Sequence, residues 1–310
     1  MDRLNIGLVH PGEMGAAVGG ALAGQGRTVL WASAGRGPAT ADRAAAAGLA
    51  DAGTVADLAA RAGIILSICP PHAAREVAGQ VARAGFGGVF VDANAVSPET
   101  AREVAGIVGA GGAAFVDGGI IGLPPGQESG AGGPRLYLSG ESGERAAEVR
   151  DLFAGTVVDA RVVEGGAGAA SAVKMAYAAW TKGTAALLLA ARALAQAEHV
   201  ADPLLAEWEL SQPGLAGRAE RAARSATAKG WRWEAEMTEI AASMTAAGLP
   251  GGFHQAAAEV FRRSPRAEGA SSGGSGEPGD GAALDRVLGA LIGRQTGRPA
   301  GQQDGSRSDR

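Results

Sequence analysis

Lys174 is the side chain in this sequence whose surroundings best suit proton transfer. It is the only basic residue between Ala169 and Ala179, in an alanine-rich stretch that predicts a long helix over residues 166–200. Burial disfavours the charged form of an ammonium group, which suits general acid–base chemistry near neutral pH. A lysine on the flank of a helix can also extend its ammonium group into water, and spacing alone leaves both interpretations open.

Asn94, Ser97 and Tyr177 are the side chains that we expect near such a lysine. Asn94 follows a predicted strand, where its amide can orient a substrate oxygen or simply shape a turn. Ser97 is expected first as the N-cap of the next helix and second as a substrate contact. Tyr177 follows Lys174 by three positions and is either a proton donor or a core tyrosine. Lys182, two helical turns beyond Lys174, is interpreted as a solvent or interface residue.

The N-terminal segment predicts a nucleotide-binding turn. Residues 4–9 form an apolar run typical of a buried strand, and residues 16–23 are strong helix formers. A glycine turn between a strand and a helix presents backbone N–H groups and the positive end of the helix dipole to a pyrophosphate. His10 occupies the first glycine position of the G-x-G-x-x-G pattern, so a tight turn without a ligand is the alternative. The candidate cofactor contacts are His10, Pro11, Gly12, Glu13, Met14 and Gly15.

The end of the second predicted strand, residues 27–33, indicates which dinucleotide this turn would bind. Sites for NAD usually carry an acidic residue here, about 20 residues beyond the glycines, to hold the ribose hydroxyls. The sequence has Ser33 and Arg36 instead, with no carboxylate from Trp31 to Gly37. Because arginine binds a 2′-phosphate through charge-assisted hydrogen bonds, we predict NADP(H) in preference to NAD(H). A solvated Arg36 is the alternative.

Strands and helices alternate through the first half of the chain, which predicts a doubly wound α/β domain with a parallel sheet. Ligands of such sheets bind beyond the carboxyl ends of the strands. We therefore expect Cys69 and Pro70 beside the nicotinamide, with Cys69 as a packing residue rather than a nucleophile. Residues 117–125, which follow a strand predicted at 113–117, are expected to form a backbone-rich loop that brings Gly119 and Gly122 to the substrate. Later strands are predicted at 135–139 and 156–163.

The remainder of the chain predicts helices. We divide it into an α/β domain at 1–165, an all-α substrate and dimerisation domain at 166–265, and a tail at 266–310. The Gly/Ser-rich stretch 271–281 and the polar stretch 297–310 within this tail are expected to be disordered, with a short helix between them.

Two aromatic residues of the helical region are candidate substrate contacts. A charged helix is predicted over 218–229, and Trp231 is predicted to begin a separate helix, with a pocket or a subunit contact as its role. His254 opens another predicted helix and could titrate near a substrate. A histidine that only forms hydrogen bonds at the helix start is the alternative.

Composition excludes several classes of protein. The formal net charge of −4 over 310 residues provides no basic field for nucleic acid. The single cysteine rules out an intramolecular disulfide and favours a reducing compartment, and no apolar run has the length of a membrane span, so we expect a cytoplasmic protein. No metal-ligand spacing is present, so no metal cofactor is expected.

Residues 6–15, Val91-Asp92 with Ser97-Pro98, and above all residues 168–175 resemble the β-hydroxyacid dehydrogenase and 6-phosphogluconate dehydrogenase superfamily. The last segment is similar to the superfamily's G-x-G-x-x-x-K motif, whose lysine is a general acid/base. The resemblance implies an NAD(P)-dependent oxidoreductase with a Rossmann-type domain, a homodimer, and this role for Lys174. The C-terminal half is similar to an uncharacterised domain of 6-phosphogluconate-dehydrogenase-like proteins.

Three positions depart from that superfamily. His10 replaces a glycine, Ala178 stands where the superfamily has a substrate-orienting asparagine, and residues 121–123 replace a Ser-Gly-Gly clamp. Residues 117–125 and 137–140 resemble imine reductases instead, which share the fold and use NADPH but usually place Asp or Tyr at the position of Lys174. We therefore predict oxidoreduction of a small carbonyl or hydroxyl substrate. Reduction of a C=N bond, and cofactor binding without turnover, are the alternatives.

Overall fold

A computed structural model of the chain describes residues 5–126, 132–266 and 280–293. The strands are β1 (Ile6–Leu8), β2 (Val29–Ala32), β3 (Ala50–Gly53), β4 (Ile64–Ser67), β5 (Val89–Asp92), β6 (Ala114–Ile121), β7 (Arg135–Ser139) and β8 (Asp159–Val162). They form one sheet with the order β3-β2-β1-β4-β5-β6-β7-β8. Neighbouring strands are parallel except β6 and β7, which are antiparallel.

The helices follow the strands in alternation and then continue alone. They are α1 (Glu13–Gly24), α2 (Pro38–Ala46), α3 (Val55–Arg61), α4 (Ala74–Arg83), α5 (Pro98–Ala110), α6 (Gly143–Leu152), α7 (Ala169–Ala197), α8 (Ala201–Ser211), α9 (Leu215–Ala246), α10 (Gly252–Arg263) and α11 (Asp280–Ile292). A 3-10 turn, Pro71–Ala73, precedes α4.

The central strands are buried along their whole length because helices cover both faces of the sheet. Leu66 and Val91 belong to one core cluster, whereas Ile65 and Phe90 belong to the other. This alternation follows from the two-residue period of a strand. The predicted α/β fold with a helical C-terminal region is confirmed.

Three elements differ from the sequence prediction. β3 was not predicted, because Ala-Asp-Ala-Gly has little strand propensity; it is extended because it pairs with β2. β6 runs on to Ile121 where a loop was predicted, since pairing with β7 satisfies the backbone through Gly118 and Gly119. The prediction that Trp231 begins a helix is wrong: α9 is continuous through Gly230, a residue that a long helix tolerates.

The chain divides into two compact units. The first is Met1–Gly183 with Ala235–Ala258, and the second is Thr184–Glu234 with Glu259–Arg310. The sheet belongs to the first unit, as do the first half of α7 and the last part of α9. The domain boundaries at residues 165 and 265 stay a prediction.

Residues 267–279 and 294–310 of the predicted tail lie outside the described residues, and so do residues 127–131 after β6. The predicted short helix between the two tail stretches is present as α11. Among the described residues, no helix combines the length and the apolar character that crossing a lipid bilayer requires.

Candidate active site

A buried carboxylate in β6 fixes the start of α7. Asp117 Oδ2 accepts hydrogen bonds from the backbone N–H groups of Gly168 at 3.0 Å and Ser171 at 2.9 Å, and Oδ1 accepts one from the Ser171 hydroxyl at 2.6 Å. The Ser139 hydroxyl of β7 accepts a hydrogen bond from the N–H group of Ala170 at 3.0 Å. A carboxylate at this end pairs exposed N–H groups and interacts favourably with the helix dipole. The sheet therefore determines where α7 begins.

Gly119, two positions beyond Asp117, allows α7 to lie directly against the sheet. A Cβ atom at Gly119 would be 2.7 Å from the carbonyl oxygen of Ala170 and 3.0 Å from Cβ of Lys174. Any side chain here would force the helix away. Gly119 was predicted as a substrate contact, and in the structure it fixes the backbone position of Lys174.

The Lys174 side chain lies in a largely buried cluster with Glu236 of α9 and Lys182 of α7. Lys174 Nζ is 3.6 Å from Glu236 Oε1, and Lys182 Nζ donates a hydrogen bond to Glu236 Oε2. The side chains of Lys174, Lys182 and Glu236 are 15%, 17% and 9% exposed. We call these three residues the Lys174–Glu236–Lys182 cluster. The Lys174 ammonium group is therefore turned toward Glu236 and does not extend into water.

Glu236 is ionised in this cluster. Burial alone would raise the pKa of Glu236, but the charges of Lys174 and then of Lys182, together with the hydrogen bond from Lys182, outweigh burial and hold that pKa below its usual range. Two ammonium groups thus share one carboxylate, which is the arrangement that makes a buried charge tolerable.

Glu236 was not predicted as a site residue, and Lys182 does not extend into solvent as the sequence suggested; an interface role for Lys182 stays a prediction. Glu236 is 54 positions from Lys182, so no local motif connects them. Composition holds a usable signal: only three of the 28 lysine and arginine residues are lysines, and two of these face Glu236. Lysine can release its proton in proteins whereas arginine cannot, so lysines in an arginine-rich chain merit attention.

Asn94 connects the turns that follow β4 and β5. Its Oδ1 accepts a hydrogen bond from the N–H group of Cys69 at 2.5 Å, and its Nδ2 donates one to Ser67 Oγ at 3.1 Å. Asn94 is 3% exposed. These contacts are those of a turn-shaping residue. Burial raises the pKa of the Cys69 thiol to about 12, so the thiol stays protonated at neutral pH.

Ser97 is the predicted N-cap of α5, since its hydroxyl accepts a hydrogen bond from the N–H group of Thr100 at 3.1 Å. The backbone N–H group of Ser97 donates to Glu239 Oε2 at 2.7 Å, and the Thr100 hydroxyl donates to the same oxygen at 3.1 Å. Glu239 lies three positions after Glu236 on α9, so both carboxylates project from one side of that helix. They hold the end of α9 against α5 and α7.

The turn between β1 and α1 has the form that a pyrophosphate requires. No side chain caps the N-terminus of α1, although Thr54 caps α3 and Ser97 caps α5. A Cβ atom at Gly15 would be 2.6 Å from the carbonyl oxygen of His10, so only glycine lets the turn close onto the helix. The imidazole of His10 lies beside Gly12, 3.5 Å from the position of a Cβ atom there. An uncapped helix N-terminus offers N–H donors to a phosphate group.

The other predicted cofactor contacts surround this turn or adjoin β4. The Pro11 carbonyl accepts a hydrogen bond from Arg43 Nε of α2 at 3.3 Å. Glu13 lies in the first turn of α1, where its carboxylate interacts favourably with the helix dipole. Met14 packs against one core cluster, and Pro70 is exposed before the 3-10 turn.

Two guanidinium groups lie near His10. Burial, and then the positive charges of Arg36 and Arg43, lower the pKa of His10. The Nε atom of Arg36 is buried and has no hydrogen-bond partner among the described residues. A buried donor without an acceptor is unusual in proteins, and a phosphate oxygen would satisfy it. The residues present therefore fit a phosphorylated dinucleotide. Arg43 was missed in the sequence because it lies on a helix rather than after β2.

A carboxylate also lies next to the predicted phosphate contact Ser33. Hydrogen bonds from the Ser33 side chain and from the N–H group of Gly53 lower the pKa of Asp51 in β3. No acid follows β2 in sequence, but the unpredicted edge strand supplies one. Asp51 is of the residue type that holds ribose hydroxyls in NAD sites.

The remaining candidate substrate residues of the first unit lie in different surroundings. His254 is buried, with Nε2 3.4 Å from the carbonyl oxygen of Ala179. Tyr177 is 45% exposed on α7. Gly122 follows β6 with φ of 126°, a conformation that favours glycine, beside Pro134. Their roles at a substrate stay predictions.

Trp231 belongs to the second unit. It is 43% exposed, and the guanidinium carbons of Arg232 and Arg266 lie 4.9 Å and 5.6 Å from its ring centroid. These are cation–π contacts, which account for an exposed tryptophan without a ligand. A substrate contact at Trp231 stays a prediction.

Asp92→Asn is expected to alter how stability depends on pH. Burial raises the pKa of Asp92 to about 7, and Oδ2 has no hydrogen-bond partner among the described residues. A carboxyl group whose folded pKa lies above its unfolded value destabilises the fold as pH rises between the two values. The stability of the variant relative to the wild type should therefore increase by up to about 4 kcal/mol from pH 4 to pH 8. Urea unfolding at both pH values measures this, and a pH-independent difference would contradict it.

The parallel order of β1 to β6, the uncapped glycine turn after β1 and the arginines beside it define a dinucleotide-binding α/β protein. Residues 5–176 match the family described as the NAD binding domain of 6-phosphogluconate dehydrogenase. This match covers more than half of the chain, which belongs to that family and is an NAD(P)-dependent oxidoreductase. The predicted superfamily and enzyme class are confirmed. Residues 195–264 match a domain of unknown function, DUF1932.

Solved structures resemble this one along most of the chain. A conserved hypothetical protein from Sinorhizobium meliloti is 25% identical, with 93% of this chain and 97% of that chain covered and a TM-score of 0.67. Mycobacterium tuberculosis 3-hydroxyisobutyrate dehydrogenase, solved with L-serine, is 17% identical over 93% and 99% of the two chains, with a TM-score of 0.67. A reductive aminase from Aspergillus terreus, in complex with NADPH and ethyl levulinate, is 23% identical over 91% and 98%, with a TM-score of 0.53. The last two show the fold alone. No curated protein matches the sequence significantly.

Proposed function

We propose that the protein is an NADPH-dependent oxidoreductase that transfers a hydride between the nicotinamide and a small carbonyl or hydroxyl substrate. The observation that carries the proposal is the position of Lys174, held by Gly119 on the sheet and by Glu236 in a buried cluster. Lys174 is the general acid in reduction and the general base in oxidation. The bound cofactor supplies or accepts the hydride.

Other residues of the chain bind the cofactor and position the substrate. The N–H groups at the start of α1 bind the pyrophosphate, and Gly15 keeps the turn narrow enough for that contact. The substrate oxygen binds beside Lys174, with the backbone at Gly122 as a further contact, while Gly119 and Asn94 act indirectly: Gly119 fixes the position of Lys174, and Asn94 shapes the turns after β4 and β5. In reduction, the ammonium group of Lys174 donates its proton to that oxygen while the carbonyl carbon receives the hydride, which leaves a neutral amine and an alcohol.

We propose that the protein prefers NADPH to NADH because Arg36 and Arg43 lie beside the turn that would bind the cofactor. Arg36→Ala should weaken NADPH binding by about 10- to 100-fold, because it removes a charge-assisted hydrogen bond to the 2′-phosphate, and should change NADH binding much less. Calorimetric titration of both cofactors measures this, with Arg61→Ala as an exposed arginine control. Equal losses for the two cofactors would contradict a 2′-phosphate contact, and Asp51 would then favour NAD.

Reduction of a C=N bond is the second candidate function. The exposed hydroxyl-bearing side chain of Tyr177 and the resemblance in fold to a reductive aminase favour it. We would measure NADPH oxidation with aldehydes, keto acids and cyclic imines under identical conditions. Turnover of carbonyl substrates supports the first function, and turnover of imines alone supports the second. Tight NADPH binding without turnover of any compound would indicate a cofactor-binding protein without catalysis.

A homodimer in the cytoplasm is proposed as the working state. Large apolar side chains are exposed at seven-residue intervals along α7, at Trp180, Leu187 and Leu194, which is the spacing of a helix–helix contact. Light scattering coupled to size-exclusion chromatography measures the mass in solution. A monomeric mass at all concentrations would exclude the dimer.

A further inference from the structure

We infer that Glu236 is a positioning residue for proton transfer at Lys174, and that Lys182 holds Glu236 in the position this requires. The inference rests on the proposed role of Lys174. It adds two residues that no motif of the sequence indicates, and it assigns them different tasks.

The two oxygens of Glu236 have unequal contacts. Lys182 donates a hydrogen bond to Oε2, whereas Oε1 accepts no hydrogen bond among the described residues and faces Lys174 Nζ at 3.6 Å. This separation exceeds that of an N–H···O hydrogen bond but allows strong electrostatic attraction in a buried site. Lys182 is therefore the fixed partner of Glu236. Lys174 is attracted to the carboxylate while its N–H groups can turn to a substrate oxygen.

The charges around Lys174 determine how easily it loses its proton. Glu236 from α9 favours the ammonium form, and Lys182 from α7 disfavours it. From β6, the Asp117 carboxylate is occupied by the N-terminus of α7, and from α10, His254 lies against the carbonyl oxygen of Ala179. Glu236 is thus the acidic residue that forms an ion pair with Lys174 Nζ, and it does not cap a helix.

Lysine rather than arginine at both positions supports this arrangement. Only three lysines occur in the chain, at 174, 182 and 229, against 28 lysine and arginine residues together. A pair required only for structure could use arginine, which binds carboxylates in a planar, bidentate manner and stays charged. An ammonium group on a flexible stem allows the loose contact that is seen at Lys174.

Nuclear magnetic resonance of protein labelled with ¹³C,¹⁵N-lysine tests the inference without requiring turnover. Three side-chain signals are expected, and Lys174→Arg and Lys182→Arg assign them. Glu236→Gln should move the titration midpoint of the Lys174 signal to lower pH, because the neighbouring negative charge is lost. Lys182→Met should move it to higher pH, because a positive charge is lost and Glu236 becomes available to Lys174. The Lys229 signal should not move.

Opposite shifts distinguish this role from a merely structural one, which would change stability in both variants without opposite changes in titration. The alkaline limb of the pH profile of kcat/KM for reduction should move in the same directions, and Glu236→Asp should restore most of the wild-type profile. Glu220→Gln and Lys229→Met on α9 are the matched controls. If Glu236→Gln does not fold, the test is the Lys174 titration midpoint in Lys182→Met, which should move to higher pH.

The possible failures are separable. If Lys174→Ala keeps the wild-type rate, the proposed function of Lys174 is wrong whatever Glu236 does. If Lys174→Ala is inactive while the Lys174 titration and the pH profile are the same in Glu236→Gln, Lys182→Met and the wild type, the positioning role is overturned and the proposed function stands.

Discussion

Lys174→Ala should lower kcat for the reduced substrate by about 10²- to 10⁴-fold, the usual contribution of a general acid. The affinity for NADPH should change little, because the proposed cofactor contacts lie at the turn after β1 and at Arg36. Steady-state NADPH oxidation and calorimetric binding measure the two quantities separately. A lower kcat with unchanged cofactor binding places the loss in the chemical step.

Lys229→Ala is the matched control, since Lys229 is the one lysine of the chain outside the Lys174–Glu236–Lys182 cluster. It should keep the wild-type rate. A full rate in Lys174→Ala, or an equal loss in both variants, would refute the assignment of Lys174 as the general acid.

Gly119→Ala is expected to affect activity and stability together. The added Cβ atom would lie 2.7 Å from the Ala170 carbonyl oxygen and 3.0 Å from Lys174 Cβ, so α7 must shift away from β6. Overpacking of this kind costs about 1–3 kcal/mol. A displacement of the amine by about 1 Å should lower kcat by up to about 10²-fold. Urea unfolding and steady-state kinetics of the same preparation measure both effects.

Gly106→Ala in α5 is the control for Gly119→Ala, because a Cβ atom at Gly106 meets no atom within 4 Å. It should stabilise the protein by about 0.5–1 kcal/mol through helix propensity and leave kcat unchanged. Wild-type activity in Gly119→Ala would show that the position of α7 on the sheet does not determine the position of the reacting amine.

The sequence predicts those features of the fold that depend on local periodicity. The buried strands β1, β4 and β5, and the long helix that carries Lys174, are readable because each has its pattern within a few residues. The edge strand β3 is not readable, since its extended form comes from pairing with β2 rather than from its own residues. The same reason accounts for the part of β6 beyond Asp117.

The same distinction between local pattern and tertiary contact applies to the residues of the candidate site. Lys174 and the turn from His10 to Gly15 lie on single elements and were predicted as site residues. Glu236 and Arg43 approach from other helices, and only the tertiary fold brings a residue 54 positions from Lys182 into its reach. Acidic and basic residues on a long helix such as α9 are typical of a solvated surface, so the sequence offers no reason to select Glu236 among them.

The cap that Asp117 forms on α7 has a consequence for how the molecule tolerates insertions and deletions. Asp117 and Gly119 lie close together in β6, and both fix the start of α7. The position of the Lys174 amine is therefore set by the sheet, and not by the length of the roughly fifty residues between Gly119 and α7. The connections of that stretch outside β7, whose Ser139 also accepts a hydrogen bond from Ala170, can therefore change in length without moving the amine. One residue inserted between the cap and Lys174 would instead rotate the amine by about 100° around the helix axis and remove it from the site.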